Sequence, residues 1–118
     1  MVTELDRTLG ALADPTRRGV IDMLRERPRR AGELASALAM SGPAMSRHLR
    51  VLRLRGLIEE ERAAAEDDAR VRTYRLRQEP FLALRGWLDQ LEAFWDDQLG
   101  AFKAHVEAQQ SAPKGDER

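Results

Sequence analysis

Residues 41–55, Ser-Gly-Pro-Ala-Met-Ser-Arg-His-Leu-Arg-Val-Leu-Arg-Leu-Arg, leave the chain little freedom of fold. Met45, Leu49 and Leu52 recur at i, i+4 and i+7, the spacing of one buried stripe on a helix. Ser41 can cap that helix by accepting from a free backbone N–H, and Pro43 is tolerated in the first turn, where its missing N–H has no helical partner. Gly56 follows the last turn, where a residue without a Cβ ends helices readily. With the stripe turned inward, Ala44, Ser46, Arg47, Arg50 and Arg53 fall on the other faces. The segment carries four arginines and no acid. A face that is small at its N-terminal end and cationic further along fits a DNA major groove, and the helix N-terminus suits a phosphate. The candidate DNA-facing residues of this segment are Ser41, Gly42, Ala44, Ser46, Arg47, Arg50 and Arg53.

The flanking residues give that helix a setting. Leu34, Ala35 and Leu38 predict a short helix over Glu33–Ala39, and Met40-Ser41-Gly42 reads as a glycine-containing turn into the basic helix. Two helices joined so tightly make a helix-turn-helix. Two strand-like runs follow, Leu57–Arg62 and Arg70–Arg77. The second alternates, Tyr74 and Leu76 on one face and Thr73, Arg75 and Arg77 on the other. Upstream, a helix starts near Thr3 and presents Leu5, Leu9 and Leu12. The pair Asp14-Pro15 starts another that runs to about Arg27 with Val20, Ile21 and Leu24 inward. The predicted fold is mostly α, in the order α-α-α-α-β-β-α: a winged helix-turn-helix with a long C-terminal helix. Arg62, Arg70 and Arg72 flank the hairpin and join the DNA-facing candidates. Its tip, Glu66-Asp67-Asp68, is acidic and should avoid the negatively charged minor groove.

At this point the residues resemble the ArsR family of bacterial winged-helix repressors. The resemblance rests on Leu12-Ala13-Asp14-Pro15-Thr16-Arg17-Arg18, Glu33-Leu34-Ala35, Ser46-Arg47-His48-Leu49-Arg50-Val51-Leu52, Gly56-Leu57-Ile58 and Tyr74-Arg75-Leu76, in that order, and covers roughly residues 5–108. It implies a homodimeric regulator whose terminal helices pair across a two-fold axis and whose partner is double-stranded DNA carrying a palindromic operator. The cysteine-free composition resembles the autorepressor branch, some of whose members answer to a protein partner or to no known ligand. The resemblance also brings His48 to the DNA backbone; a histidine packed at the base of the helix, donating to a carbonyl, is the other reading. Two departures stand out. The helix before the basic one has Ala31 or Gly32 where relatives often have a capping Ser or Thr, and the hairpin tip is longer and more acidic than usual.

Charge distribution agrees with a basic reading head. The net charge is zero, yet residues 17–55 hold ten arginines against three acids, whereas residues 81–118 hold four basic groups against seven acids. Asymmetry of this kind suits a polyanion on one side only. The 118 residues amount to one small domain over 1–110, with a flexible tail at 111–118. The chain reads as cytoplasmic and not membrane-bound: no apolar run has signal-peptide or membrane-span length.

From Pro80 to about Ala108 the apolar positions Leu84, Leu88, Leu91, Trp95, Leu99, Phe102 and Val106 keep the helical period, and Phe81, Trp87 and Phe94 widen the stripe. Such a helix is ~43 Å long at 1.5 Å per residue. A head of about 75 residues cannot cover it all, so the seam needs another partner. The candidate dimer-interface residues are Leu5, Leu9, Leu84, Trp87, Leu88, Leu91, Trp95, Leu99 and Phe102, with dimerisation helices at about 3–13 and 80–108. Trp87, Phe94 and Trp95 could also line an apolar effector pocket. A protein-interaction module that recruits another protein through the aromatic helix or the acidic tip is the alternative to DNA reading.

Enzymatic chemistry finds no support, for the chain has no phosphate loop, no nucleophile elbow and no metalloprotease His pair. Asp96 and Asp97, being consecutive, point about 100° apart on a helix and share nothing. No cofactor is implied. With no cysteine and only His48 and His105 as imidazoles, no three-ligand nitrogen site forms within one subunit. Metal regulation, a common property of the family it resembles, is therefore not expected here. Affinity for an operator duplex should stay within about twofold on adding micromolar zinc, cadmium, arsenite or a chelator. A tenfold change in a titration, about 1.4 kcal/mol of coupling, would contradict this.

Overall fold

The computed structural model describes residues 1–62 and 72–111. Arg70, the acidic hairpin tip and residues 112–118 lie outside the described residues. Two units are distinguished, Met1–Leu84 and the segment that begins at Arg85.

The first unit starts with α1 (Glu4–Leu12), held at its N-terminus by a reciprocal cap. The Asp6 N–H donates to Thr3 Oγ1 at 3.1 Å, and the Thr3 N–H donates to Asp6 Oδ2 at 2.9 Å. Those bonds stabilise the ionised carboxyl and hold the Asp6 pKa below the usual 3.8. α2 (Pro15–Glu26) has Asp14 as cap, accepting from the Arg17 N–H at 3.0 Å, with Pro15 in the first turn. Next come β1 (Arg29–Arg30), α3 (Ala31–Ala37), α4 (Gly42–Leu54), β2 (Ile58–Arg62), β3 (Arg72–Leu76) and α5 (Gln78–Ser111).

The strands form an antiparallel sheet in the order β1-β3-β2. Ile58 pairs with Leu76, Glu60 with Tyr74, and Arg62 with Arg72. β1 was not expected. It has two residues, too few to show alternation, and it exists because β3 offers its open edge to Arg29 and Arg30. The observed order is thus α-α-β-α-α-β-β-α. The core gathers one stripe from each of three helices, Val20 and Leu24 of α2, Leu34 and Ala35 of α3, and Met45, Leu49 and Leu52 of α4, closed by Ala11, Leu57 and Ile58.

The helix-turn-helix differs from its sequence reading in two places. α3 covers Ala31–Ala37, two residues earlier than expected, and its cap position is Arg30. A guanidinium has no acceptor, so the end is secured from the other side: Glu33 Oε1 accepts from the Arg30 N–H at 3.3 Å. The turn is not made by Gly42, which is already the first residue of α4. Ala39 makes it, at φ 53°. Its N–H donates to Ser36 O at 3.3 Å and that of Met40 to Ala35 O at 2.8 Å, the double-bonded ending that normally selects glycine. The same ending closes α4, with Gly56 at φ +80° and the Leu57 N–H on Leu52 O at 2.9 Å.

α5 begins two residues before Pro80 and runs to Ser111, three residues past the expected end near Ala108. Proline is accommodated because first-turn N–H groups lack helical partners. At 1.5 Å per residue its 34 residues span about 51 Å. None of the described helices is long and apolar enough to cross a membrane.

The two turn positions make opposite predictions. Ala39 is exposed, and giving it glycine relieves left-handed strain at no cost in contacts. Ala39→Gly should raise stability by roughly 0.5 kcal/mol, whereas Gly56→Ala should lower it by about 1 kcal/mol. Thermal melts at equal protein concentration check the signs; a lower Tm for Ala39→Gly contradicts the assignment.

Candidate nucleic-acid interface

The basic helix is fixed by what it buries. Met45, Leu49 and Leu52 are at most 2% exposed, and Ser41 Oγ accepts from the Ala44 N–H at 3.2 Å to close the N-terminus. With that stripe in the core, Ser41, Gly42, Ser46, Arg47, Arg50 and Arg53 are exposed, while Ala44 and His48 are half-buried. Arg47 and Arg50 stand three apart, neighbours on one face.

Partners sort the arginines more sharply than exposure does. Arg17 Nε donates to Ala11 O at 2.7 Å and its Nη2 to Gly10 O at 3.2 Å, while Arg18 Nη1 donates to Leu12 O at 2.7 Å. These two side chains satisfy Ala11 O and Leu12 O, which the end of α1 leaves open, and Arg17 shares Gly10 O with the Ala13 N–H. Arg55 Nη1 donates to Arg7 O at 3.2 Å. Arg27 pairs with Glu33 at 3.1 Å and Arg29 with Glu26 at 2.9 Å. Among the arginines of the 17–55 stretch, the side chains of Arg25, Arg47 and Arg50 make neither a hydrogen bond nor an ion pair with any described residue. Much of the cationic excess counted in the sequence therefore caps helices or meets acids, and α4 keeps two of the cations left over.

His48 faces Asp14, with Nδ1 3.9 Å from Oδ2. The expected alternative to a DNA contact was a backbone carbonyl; the group it meets is the α2 cap. The backbone N–H of Arg17 holds the Asp14 carboxyl below its usual range. The recognition-helix candidate thus lies against the start of α2.

Sequence reasoning missed a second cluster. Glu60, half-buried on β2, accepts on Oε1 from Arg53 Nη1 and from the Tyr74 hydroxyl at 3.2 Å, and on Oε2 from Arg72 Nη1 at 3.2 Å. Burial first, and then the Glu60 charge, push the Tyr74 phenol above its ordinary pKa. On the other face of the hairpin Arg75 Nε donates to Glu59 Oε1 at 2.6 Å, and the bond to that carboxylate raises the Arg75 pKa further. Three consecutive acids, Glu59-Glu60-Glu61, were the available signal; their strand alternation sends the middle one to the side opposite its neighbours. Of the hairpin candidates, Arg72 is in this cluster, Arg62 ends β2, and Arg70 is outside the described residues.

Of the interface candidates in the first unit, Leu5 and Leu84 are half-buried and Leu9 is 40% exposed. In α5, Trp87, Leu88, Leu91, Trp95, Leu99 and Phe102 are all exposed, Phe102 to 67%. Phe94 and Trp95 meet edge to face with ring centroids 5.4 Å apart. Two cavities of about 270 and 250 Å³ lie against Arg7, Arg55 and Arg77 and against Leu12 and Phe81; neither is lined by Trp87, Phe94 or Trp95. No group of three or more His, Cys, Asp or Glu among the described residues could hold a metal ion.

Known proteins are similar to this chain in sequence and in fold. A model described as a helix-turn-helix domain matches residues 12–61. The HTH-type transcriptional regulator Rv2034 of Mycobacterium tuberculosis is 36% identical over 104 residues, covering 88% of this chain and 90% of that protein. The transcriptional repressor SdpR of Bacillus subtilis is 33% identical over 58 residues, 49% of this chain and 64% of that protein. The solved structure of an ArsR family transcriptional regulator, RHA00566, matches with a TM-score of 0.70 and 34% identity over 80% of this chain and 98% of its own. With likeness of that extent along both sequence and fold, the chain belongs to the ArsR family of winged helix-turn-helix, DNA-binding transcriptional regulators.

Proposed function

We propose that this regulator is a homodimeric repressor that reads a palindromic operator through the exposed face of α4. The observation that carries the reading is the pair Arg47 and Arg50, which no other described residue engages, on a helix whose opposite face is locked in the core. A guanidinium without an intramolecular partner loses little on meeting a guanine edge or a phosphate, and its fork geometry suits both. Gly42, Ala44 and Ser46 leave room for the backbone of α4 to approach the groove. His48 and Arg53 flank that surface, and Arg72 at the start of β3 supplies a phosphate contact, with Arg62 and Arg70 as further candidates by sequence.

Dimerisation is supported by the uncovered stripe of α5. Exposed Leu88, Leu91, Trp95, Leu99 and Phe102 at helical spacing are a contiguous apolar surface of the kind that marks an interface. A second copy of the same helix covers it by two-fold symmetry, because a self-complementary stripe is satisfied by its own duplicate. The repressor assignment draws on SdpR, which carries that name. Such a dimer works in the cytoplasm, where its DNA is, with no cofactor and no catalytic step. An effector, whether small molecule or protein, would act by shifting the spacing of the two α4 helices.

The test is a gel shift with a duplex from the region upstream of the chain's own coding sequence. Binding should weaken steeply with salt and favour half-sites whose centres lie one or more helical turns apart. Arg47→Ala should cost ~1–3 kcal/mol, and the loss should depend on the base at one position. Equal loss on every duplex would make Arg47 a phosphate contact only, and absence of salt-dependent binding would favour the protein-interaction reading.

A further inference from the structure

The Glu60 cluster joins two elements that the DNA reading treats separately. Arg53 belongs to the last turn of α4 and Arg72 to the first residue of β3, yet one carboxylate holds both. Glu60 is itself held, because its register partner across the strands is Tyr74, whose hydroxyl donates to it. Its side chain is 23% exposed, against 45% for Arg53 and 48% for Arg72. The anion is thus recessed and the two cations stand forward of it. Glu59 and Glu61 do not compete for these arginines, since both lie against Arg75 on the opposite face, at 2.5 and 3.8 Å.

We propose that Glu60 is a specificity-determining positioning residue, which presents Arg53 and Arg72 to DNA as one preset pair and masks half of their charge. The inference rests on the placement of α4 and the hairpin against DNA argued above, and it adds a role for an acid on that surface. Two consequences follow from the charges. A pair already fixed by a common anion loses less side-chain freedom on binding a duplex of matching shape. The same anion lowers the attraction for phosphates in general, because two guanidiniums and one carboxylate leave a single net positive charge. Non-specific affinity depends on neutralised phosphates and falls accordingly, so discrimination rises through an element that disfavours the wrong partner.

Fluorescence anisotropy across a salt series tests this, with an operator duplex and an unrelated duplex of equal length. Thermal melts of each variant accompany it. Glu60→Gln keeps shape and one acceptor while removing the charge. It should raise affinity for the unrelated duplex by about 3–10-fold, steepen its salt dependence by about one phosphate contact, and raise operator affinity by less than about twofold. The ratio of the two affinities should drop at least about threefold. Tyr74→Phe loosens the carboxylate without changing charge. It should lower the ratio more weakly and leave the salt dependence as in wild type. An unchanged ratio in Glu60→Gln, or an equal loss on both duplexes, overturns the proposal as a merely structural effect. If the wild type binds neither duplex, the DNA reading itself fails and takes this role with it.

Discussion

Everything in the first unit depends on the burial of one face of α4. Met45, Leu49 and Leu52 interlock with Val20 and Leu24 of α2, Leu34 and Ala35 of α3, and Leu57 and Ile58 at the entrance to β2. A helix pinned on three consecutive turns cannot rotate, so the identity of its outward residues is settled by its inward ones. Moving the stripe by a single residue would turn Arg50 and Arg53 toward the core, at a prohibitive cost for unpaired cations. The hydrophobic effect therefore acts here as an aiming device. It determines where the charges of α4 point, although it has no preference among charges.

Arginine does three different jobs in this chain, and the jobs follow from what each side chain can reach. Arg17 and Arg18 at the start of α2 lie beside the end of α1, whose carbonyls have no helical donors, and they fill that vacancy. Arg53 and Arg72 meet at Glu60 and bind the recognition helix to the hairpin. Arg47 and Arg50 meet nothing among the described residues. A protein that must hold a polyanion cannot expose every cation equally, since diffuse positive charge attracts any phosphate. Here most of the excess is spent on internal structure, and the remainder is concentrated on one face.

Local chemistry was legible in the sequence wherever a residue acts on its own neighbours. Asp14-Pro15, Ser41 with Pro43, and Gly56 announced helix ends because capping is a matter of one or two turns, and the α4 stripe announced its buried face by spacing alone. What escaped was set by distant contacts. β1 exists only through the edge of β3, and Ala39 takes a backbone conformation that its side chain disfavours because α4 has to start where it does. The Glu60 cluster joins residues up to 21 positions apart; the three consecutive acids signalled an inward Glu60, but nothing in the chain marks its partners. Counting arginines overstated the basic surface for the same reason: the sequence records the charges and not their partners.

Reading a palindrome takes two copies of α4 acting together, which requires the apolar stripe of α5 to be covered by its duplicate. The most direct measurement is the mass of the protein–duplex complex by sedimentation, using the operator duplex at protein concentrations in the micromolar range. Two chains per duplex are predicted, an added mass of twice 13.4 kDa. A complex containing one chain, stable when protein is in excess, would contradict the account.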